Sequence, residues 1–304
     1  MSEMLRLGVM DSGVGGFGVL LECLRLTSGV RYFYFADADH APYGSMEEKE
    51  IEKCVSSGLK MFSNLGMDAA VLACNTATAV CVDEMRRRFP FPVIGTEPAV
   101  RPAVRAGCKN ILVLVTPRTR DTVRFRALLS RERGNFTVFA PPALASAVEA
   151  YAAGKPLSLA DHLPEGNFDG VVLGCTHYTL AGEGISRFYS APVFDGNRGT
   201  ARRLFASVGL CVPPRPEESL EAAEPPALWD ADRGGCPRSG ISDHRKGALT
   251  TIGRFASGCE IQTENEVIFL VSSKNRKKLC YEQTFFKRLA SKNVKFAHIG
   301  EKFF

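Results

Sequence analysis

Two short segments of the chain, about a hundred residues apart, repeat the same order of residue types. In each segment an apolar run typical of a buried strand ends in a cysteine, and hydroxyl or amide donors follow directly. The segments are 71–78, VLACNTAT, and 172–179, VLGCTHYT, and they place Cys74 and Cys175 at corresponding positions. If both strands end at one cleft, the two thiols face each other across it. Such a pair is suited to moving a proton onto and off a carbon atom held between the sulfurs.

The chemistry of a carbon acid sets what the two cysteines must do. A proton on an α-carbon is weakly acidic, so the attacking base must be a thiolate, while the opposite cysteine must be a thiol that returns a proton. The reverse reaction exchanges the two states, which suits two residues of one type. Because a free cysteine titrates at about pH 8.5, the site must favour a thiolate through helix amino termini, nearby donors or a substrate ammonium group. Donors next to the cysteines are Asn75, Thr76, Thr176 and His177.

The segments that must hold the cysteines alternate between strand and helix patterns. Apolar runs predict strands near 5–10, 31–36, 69–73, 92–95, 110–116, 136–140, 169–173 and 192–195, and helical patterns include 46–66, 76–89, 97–106 and 197–208. This order indicates parallel sheets covered by helices on both faces, with ligands at the carboxyl ends of the strands. Strand-to-loop junctions at 8–12 and 113–117 precede the cysteines by 63 and 59 residues, so we expect two similar α/β units.

The composition is that of an ordinary globular protein, with 304 residues of which 45% are hydrophobic and 23% are charged. Neither an export signal nor an apolar stretch long enough to cross a bilayer is seen, so we expect a cytoplasmic protein without membrane contact. In that compartment the ten cysteines stay reduced. They show no C-x-x-C pair and no metal-ligand spacing, so no bound metal is predicted.

The last part of the chain differs in composition from the rest. Residues 212–250 are rich in proline and glycine, which predicts a flexible excursion. Beyond it, strands are predicted at 266–272 and 294–299 with a helix at 275–290 between them. Residues 254–304 carry ten Lys or Arg against five Asp or Glu. This basic tail is either a nucleic-acid surface or the solvated face of an amphipathic helix, and the lack of a recognition motif favours the helix.

A glycine loop after the first strand has two interpretations. Residues 13–18 satisfy G-x-G-x-x-G, and Asp37 ends the next strand, as in a dinucleotide site. Against this interpretation, the carboxylate of Asp11 would compete with a pyrophosphate for the amides at the helix amino terminus. We favour a loop that lets Asp11 and Ser12 point into a cleft, although Asp11 could instead cap the following helix.

Four collinear motifs resemble those of the glutamate racemase family, within the aspartate/glutamate racemase superfamily. They are 8–17, GVMDSGVGGF; 41–45, APYGS; 73–78, ACNTAT; and 173–178, LGCTHY. The resemblance covers residues 5 to about 208. It implies two similar parallel-sheet α/β domains with the active site in the cleft between them. It also implies interconversion of L- and D-glutamate without pyridoxal phosphate, metal or other cofactor, which supplies D-glutamate for peptidoglycan synthesis.

The resemblance also implies roles for individual residues. Cys74 and Cys175 are the two acid/base residues, Asp11 assists the first and His177 the second, and Glu149 orients His177. The residues implied to bind the substrate are Asp11, Ser12, Tyr43, Gly44, Asn75, Thr76, Thr119, Thr176 and His177.

The family architecture further implies that the second domain is inserted into the first. We expect the first domain to comprise 1–97 plus 208–304 and the second 98–207. Relatives are commonly dimers, so a homodimer is implied, and no nucleic acid partner is expected. The chain departs from the family pattern at 38–41, ADHA, where an arginine is common, and at Thr179, where proline is usual.

Other functions stay open at this point. An aspartate racemase or another superfamily member would differ in the length of the substrate side chain. A nucleotide-binding oxidoreductase would use the glycine loop and bind NAD tightly. A noncatalytic ligand-binding protein would bind glutamate but leave its α-hydrogen unexchanged in deuterium oxide.

Overall fold

The computed structural model describes residues 4–152, 154–212, 266–271 and 294–298. Strands and helices alternate within these residues as the hydrophobic pattern predicted. The strands are β1 Arg6–Asp11, β2 Arg31–Ala36, β3 Ala69–Leu72, β4 Val93–Gly95, β5 Asn110–Val115, β6 Asn135–Phe139, β7 Gly170–Gly174, β8 Val193–Phe194, β9 Glu266–Val271 and β10 Val294–His298. The α-helices are α1 Phe17–Leu26, α2 Glu48–Asn64, α3 Asn75–Arg88, α4 Val100–Arg105, α5 Pro117–Asp121, α6 Val123–Ser130, α7 Leu144–Ala152, α8 Gly182–Tyr189 and α9 Asn197–Ser207. Two 3-10 helices span Tyr43–Ser45 and Thr176–Ala181.

The strands form two parallel sheets, and the two halves of the chain use the same strand order. The first sheet has the order β10-β9-β2-β1-β3-β4 and the second β6-β5-β7-β8. The series β2-β1-β3-β4 and β6-β5-β7-β8 correspond strand for strand, so the expectation of two similar α/β units is confirmed. In each unit the strand that leads to a cysteine lies beside the first strand. Met10 of β1 pairs with Leu72 of β3, and Val115 of β5 pairs with Gly174 of β7.

The late strands β9 and β10 extend the first sheet beyond β2. Phe33 pairs with Ile268, and Phe269 pairs with Phe296, in parallel register. The two strands predicted after the excursion are therefore confirmed. Residues 213–250 of the predicted excursion, the predicted helix at 275–290 and most of the basic tail lie outside the described residues. In the part of the chain that is described, no helix combines the length and the apolar character needed to cross a membrane.

Each sheet is buried on both faces because alternate side chains of its strands meet helices on opposite sides. In the first sheet, Leu7 and Val9 pack with α1 and α9, whereas Met10 packs with α2 and α3. In the second, Val113 packs with α4 and α6, whereas Leu114 packs with α7 and α8. Double burial explains why these strands read as continuous apolar runs rather than as alternating patterns. It also holds the strand ends firmly, which is what a site at those ends requires.

Helix α9 packs on the first sheet although the predicted bounds place it in the second domain. Its buried Ala201, Leu204 and Phe205 join the same core as Val19 and Val71. After β8 the chain crosses back to the first sheet, because this face of α9 finds its apolar partners there. The start of the second domain near residue 98 stays a prediction.

Candidate active site

Each of the two cysteines lies where a buried strand passes into a helix. Cys74 is the residue before α3, and Cys175 is the residue before the 3-10 helix Thr176–Ala181. Each exposes 6% of its surface and neither is in a disulfide. A thiol at a helix amino terminus is near unpaired amide groups that favour its anion. The repeated sequence motif therefore puts the two cysteines at corresponding positions in the two units.

The surroundings of Cys74 favour its protonated form. Burial, and next the negative charge of Asp11, raise the pKa of Cys74 to about 12, and Cys175 adds to this. The backbone amide of Ala77 and the hydroxyl of Ser12 act in the opposite direction. The thiol donates to the Ser12 Oγ at 3.8 Å. At neutral pH and without substrate, Cys74 is a thiol.

The surroundings of Cys175 are different because a histidine with a raised pKa lies beside it. Burial is the largest influence on His177 and lowers its pKa, but hydrogen bonds to Cys175 and Glu149 outweigh it and hold the pKa well above the usual value. The Nε2 of His177 lies 2.7 Å from Oε2 of Glu149, which is supplied by α7. The imidazolium places a positive charge next to the sulfur of Cys175.

Asp11 connects the two halves of the site. Its carboxylate accepts from the backbone amide of Gly13 at 3.0 Å and from the hydroxyl of Thr176 at 3.3 Å. Burial raises the pKa of Asp11, and His177 partly offsets this. Gly16, not Asp11, precedes α1, so Asp11 is not the capping residue of that helix. The carboxylate instead holds the glycine loop against the second unit.

The glycine loop is covered by the backbone of the second unit. A Cβ on Gly15 would lie 2.6 Å from the backbone nitrogen of His177 and 2.8 Å from the carbonyl carbon of Thr176. Residues 11–17 are all buried. Glycine is needed here for close approach, and the amides that a pyrophosphate would use lie against protein. This packing does not support the dinucleotide interpretation of the motif.

Three threonine hydroxyls meet where the two units face each other. Thr76 is the second residue of α3 in the first unit, and its hydroxyl lies 3.0 Å from that of Thr116, which follows β5. The Thr116 hydroxyl is 2.9 Å from that of Thr119. Sequence reasoning proposed Thr76 and Thr119 but did not single out Thr116. The repeat could have identified Thr116. It follows β5 in the second unit, at the position that corresponds to Asp11 at the end of β1 in the first unit.

The remaining predicted residues line the same region but also have structural partners. The Tyr43 hydroxyl donates to Oδ2 of Asp37 at 2.6 Å, and the Asn75 side-chain amide donates to the carbonyl of Thr96 at 3.1 Å. Gly44 packs on Thr116, since a Cβ at residue 44 would lie 2.9 Å from the Thr116 Cβ. Asp37 is a second residue that sequence reasoning did not place at the site.

The site is closed to bulk solvent. Ser12, Thr76, Thr176 and His177 each expose 2% of their surface, and Thr119 exposes none. Two arginines of the second unit form ion pairs to the first unit, Arg118 with Glu47 at 3.1 Å and Arg124 with Asp83 at 2.6 Å. Exclusion of water strengthens each electrostatic interaction inside the closed site.

Comparison with solved structures supports this architecture. The chain superposes on the crystal structure of Escherichia coli glutamate racemase in complex with L-glutamate and the activator UDP-MurNAc-Ala with a TM-score of 0.71, covering 98% of this chain and 100% of that one. The two sequences are 21% identical, so this likeness shows the fold. The fold predicted from the resemblance, two parallel-sheet α/β domains, is confirmed.

Comparison of sequences shows the family. The chain is 36% identical to the glutamate racemase of Halothermothrix orenii over 211 residues, which are 66% of this chain and 83% of the relative. It is 33% identical to the glutamate racemase of Leptospira interrogans over 216 residues, which are 68% of this chain and 84% of the relative. Residues 18–204 match the family model described as Asp/Glu/Hydantoin racemase. The chain therefore belongs to the Asp/Glu/Hydantoin racemase family.

Proposed function

We propose that this protein is a glutamate racemase that interconverts L- and D-glutamate by transfer of the α-proton between two cysteines. The observation that carries the proposal is that Cys74 and Cys175 follow corresponding strands of two units with the same strand order. The relatives that match most of their own length with 33% and 36% identity are glutamate racemases. Family membership gives the reaction type, and those relatives support glutamate as the substrate. The D-glutamate formed would serve peptidoglycan synthesis.

The different surroundings of the two sulfurs supply one base and one acid. Cys175, whose sulfur lies beside the positive charge of His177, has the role of the base that takes the α-proton from the enantiomer whose hydrogen faces it. The electron pair of the broken C–H bond stays on the substrate, spread over the α-carbon and its carboxylate. Cys74, held as a thiol by burial and by Asp11, gives its proton to the opposite face. The product is the other enantiomer, with Cys74 as the thiolate and Cys175 as the thiol.

The second enantiomer is processed by the same steps in reverse, starting from the exchanged protonation states. Between turnovers the states return by proton exchange. Asp11, whose pKa is raised by burial, is placed to return a proton to Cys74, and His177 with Glu149 is placed to accept one from Cys175. In typical enzymes a positioned side chain that gives or accepts a proton increases the rate by about 10²- to 10⁴-fold.

Substrate contacts follow from the polar groups around the sulfurs. The substrate ammonium lies near Asp11 and adds a positive charge that favours the thiolate of Cys74. Hydroxyl and amide donors hold the carboxylates and stabilise the charge that develops as the proton leaves. The donors are those of Ser12, Tyr43, Gly44, Asn75, Thr76, Thr119, Thr176 and His177. No step requires a cofactor.

An aspartate racemase or another family member is the alternative. Glutamate and aspartate differ by one methylene, which in a binding pocket is worth about 1–3 kcal/mol, so a measured preference of 10- to 200-fold is expected. A noncatalytic binding protein would bind either amino acid and exchange no α-hydrogen. The cytoplasmic location, and a homodimer, stay predictions.

The test is incubation of the purified protein with L-glutamate in deuterium oxide without added cofactor. Loss of the α-hydrogen is followed by proton NMR, and D-glutamate by chiral chromatography, with L-aspartate run in parallel. We expect exchange and inversion of glutamate together. Cys74→Ala and Cys175→Ala should each abolish inversion, while Cys23→Ala, which removes a buried cysteine of the first core, keeps it. Full turnover by either active-site variant would contradict the mechanism.

A further inference from the structure

A second cluster of reactive side chains lies beside the two-cysteine site, behind Tyr43 at the carboxyl end of β2, and includes Asp37. Asp37 follows β2, His40 lies three residues further, and Cys54 comes from α2. One carboxylate oxygen, one imidazole nitrogen and the sulfur all lie within 4.8 Å of one another. The Nδ1 of His40 is 2.8 Å from Oδ1 and 3.0 Å from Oδ2 of Asp37. The proposed reaction uses none of these three groups.

We propose that Asp37, His40 and Cys54 form a binding site for a divalent transition-metal ion of the zinc class. A thiolate, an imidazole and a carboxylate are the three ligand types that zinc takes from proteins, whereas calcium and magnesium take oxygen ligands alone. Three protein ligands leave the fourth tetrahedral position for water. The site would bind the ion from solution rather than hold a resident cofactor.

The geometry requires small movements. Zinc bonds are about 2.0–2.3 Å long, so two ligand atoms of a tetrahedral site lie about 3.5 Å apart. Here the Nδ1 of His40 and the Oδ1 of Asp37 are 2.8 Å apart, and all three ligand atoms lie within 4.8 Å of one another. The His40 side chain is 53% exposed, whereas that of Asp37 is 3% exposed. The buried carboxylate and the helix-borne sulfur are therefore held in place, and the exposed imidazole can turn to close the site around an ion that arrives from solvent.

Cysteine spacing did not reveal this cluster because its ligands come from two elements. Asp37 and His40 lie in the loop after β2, and Cys54 lies 14 residues beyond His40 on α2. Only the packing of α2 against the sheet brings the sulfur to the loop. The sequence analysis predicted no bound metal because the cysteines show no regular metal-ligand spacing. The set proposed here contains only one cysteine, so that spacing gives no information about it.

The cluster is linked to the two-cysteine site through Tyr43. The Tyr43 hydroxyl donates to the Oδ2 of Asp37 at 2.6 Å, and Tyr43 is followed by Gly44, which packs on Thr116. The Tyr43 hydroxyl also lies within hydrogen-bond reach of Cys54, so a metal ion on Asp37 and Cys54 changes both contacts that position the Tyr43 ring. Zinc should therefore inhibit racemisation. This consequence, unlike binding itself, rests on the proposed function.

The binding test uses Co²⁺ alone, because cobalt replaces zinc and its bond to a thiolate gives a charge-transfer absorption. We expect one equivalent to bind to the reduced protein with that absorption. Cys54→Ser should remove the absorption, and His40→Gln should weaken Co²⁺ binding more than about tenfold, since even outer contacts of metal ligands are worth 10- to 100-fold. Cys108→Ser and His162→Gln, at two other partly buried positions, should bind as the wild type does.

The two-cysteine site also contains thiols and a histidine, so a double variant, Cys74→Ala with Cys175→Ala, is titrated in parallel. It should keep the absorption. An absorption that survives in Cys54→Ser and disappears in the double variant would overturn the proposal, as would no Co²⁺ binding by the wild type. Circular dichroism of each variant checks folding. These readouts need no racemase activity, so they distinguish failure of this site from failure of the proposed function.

The coupling is tested by the rate of racemisation as Zn²⁺ is added, with each variant compared with its own metal-free rate. Zn²⁺ should inhibit the wild type and Cys108→Ser, and it should not inhibit Cys54→Ser. This result would support the link through Tyr43. A wild-type rate that stays constant while the site is saturated, or equal inhibition of both variants, would overturn it.

Discussion

The hydroxyl of Thr176 donates a hydrogen bond to the carboxylate of Asp11 over 3.3 Å, joining the loop after β7 to the loop after β1. The two residues are 165 positions apart in the chain and come from different units. The same carboxylate accepts from the Gly13 amide and raises the pKa of Cys74. Asp11 therefore links the shape of the closed site to the protonation state of one of its sulfurs.

Replacement of Asp11 by asparagine separates these two effects. Asparagine keeps the size of the side chain and an oxygen that accepts from Gly13, but it removes the negative charge. We expect kcat to fall by about 10²-fold because the proton supply to Cys74 is lost. We also expect the pKa of Cys74 to decrease, since the Asp11 charge is the second largest influence that raises it.

The pKa change is measured by the rate at which iodoacetamide alkylates Cys74, followed by mass spectrometry at several pH values. The Asp11→Asn variant should react faster than the wild type at the same pH. Asp121→Asn removes an exposed carboxylate that pairs with Arg120 and serves as the control. An alkylation profile equal to that of the wild type would show that Asp11 does not act on Cys74.

The two cysteine variants should differ in which enantiomer they exchange. With Cys74 replaced by alanine, Cys175 still faces one side of the substrate, so it can remove and return the α-hydrogen of one enantiomer with retention. Cys175→Ala should exchange the other enantiomer, and more slowly, because Cys74 is held as a thiol in the absence of substrate. Proton NMR of pure L- and D-glutamate in deuterium oxide measures exchange, and chiral chromatography measures inversion. The same enantiomer exchanged by both variants would argue against sulfurs on opposite faces.

The sequence was sufficient to predict the strands and to place the two cysteines where two strands end, because both features give strong local patterns. Strands buried on both faces leave continuous apolar runs, and the repeated motif marks the ends of β3 and β7. Some short helices leave no such pattern. Helix α6 spans only eight residues, and its apolar residues Phe125, Leu128 and Leu129 make a single turn of pattern, so it was not singled out.

Residues that act through contacts between distant elements could not be read from the sequence. Thr116 joins the site because β5 ends opposite α3, and Asp37 joins it because the Tyr43 hydroxyl reaches back to the end of β2. The helix α9 returned to the first core for a similar reason, since its apolar partners lie on α1 and β3. Such relationships depend on which surfaces meet, and this is decided by the whole fold.

The raised pKa of His177 makes stability depend on pH in a definite direction. In the unfolded chain a histidine titrates at about pH 6.5, whereas the folded protein keeps His177 protonated to higher pH. The stabilisation is fully present below the pKa of His177 in the unfolded chain, and it is lost as pH rises through the pKa in the folded protein. Between these two pKa values the folded protein holds a proton that the unfolded chain has released. The contribution of His177 to the free energy of unfolding should therefore decrease above about pH 6.5, by at most about 1.4 kcal/mol per pH unit.

Urea denaturation of the wild type and of His177→Gln between about pH 6.5 and 8.5 measures the His177 contribution as the difference between the two slopes. The comparison is needed because the Cys175 thiolate of the proposed mechanism has released a proton on folding and contributes a slope of the opposite sign. The free energy of unfolding of His177→Gln should decrease less with pH, or increase more, than that of the wild type, and His162→Gln should match the wild type. Equal slopes in the wild type and His177→Gln would place the titrating group elsewhere.

Gly15 tests whether the loop serves close packing or nucleotide binding. In Gly15→Ala the added Cβ would lie 2.6 Å from the His177 backbone nitrogen and 2.8 Å from both the carbonyl carbon and the hydroxyl oxygen of Thr176, so the closest contacts are with backbone. Relief requires movement of the loop that carries Cys175, so we expect the free energy of unfolding to fall by about 1–3 kcal/mol and kcat to fall with it. The control is Gly199→Ala on the exposed face of α9, where nothing lies within 4 Å and alanine should stabilise by up to about 1 kcal/mol.

Thermal unfolding, racemisation rate and NAD binding are measured on both variants and the wild type. Because the Gly15 amide region lies against Thr176 and His177, the wild type should bind no NAD. A wild type that binds NAD tightly, together with a Gly15→Ala variant that loses only that binding, would restore the dinucleotide interpretation.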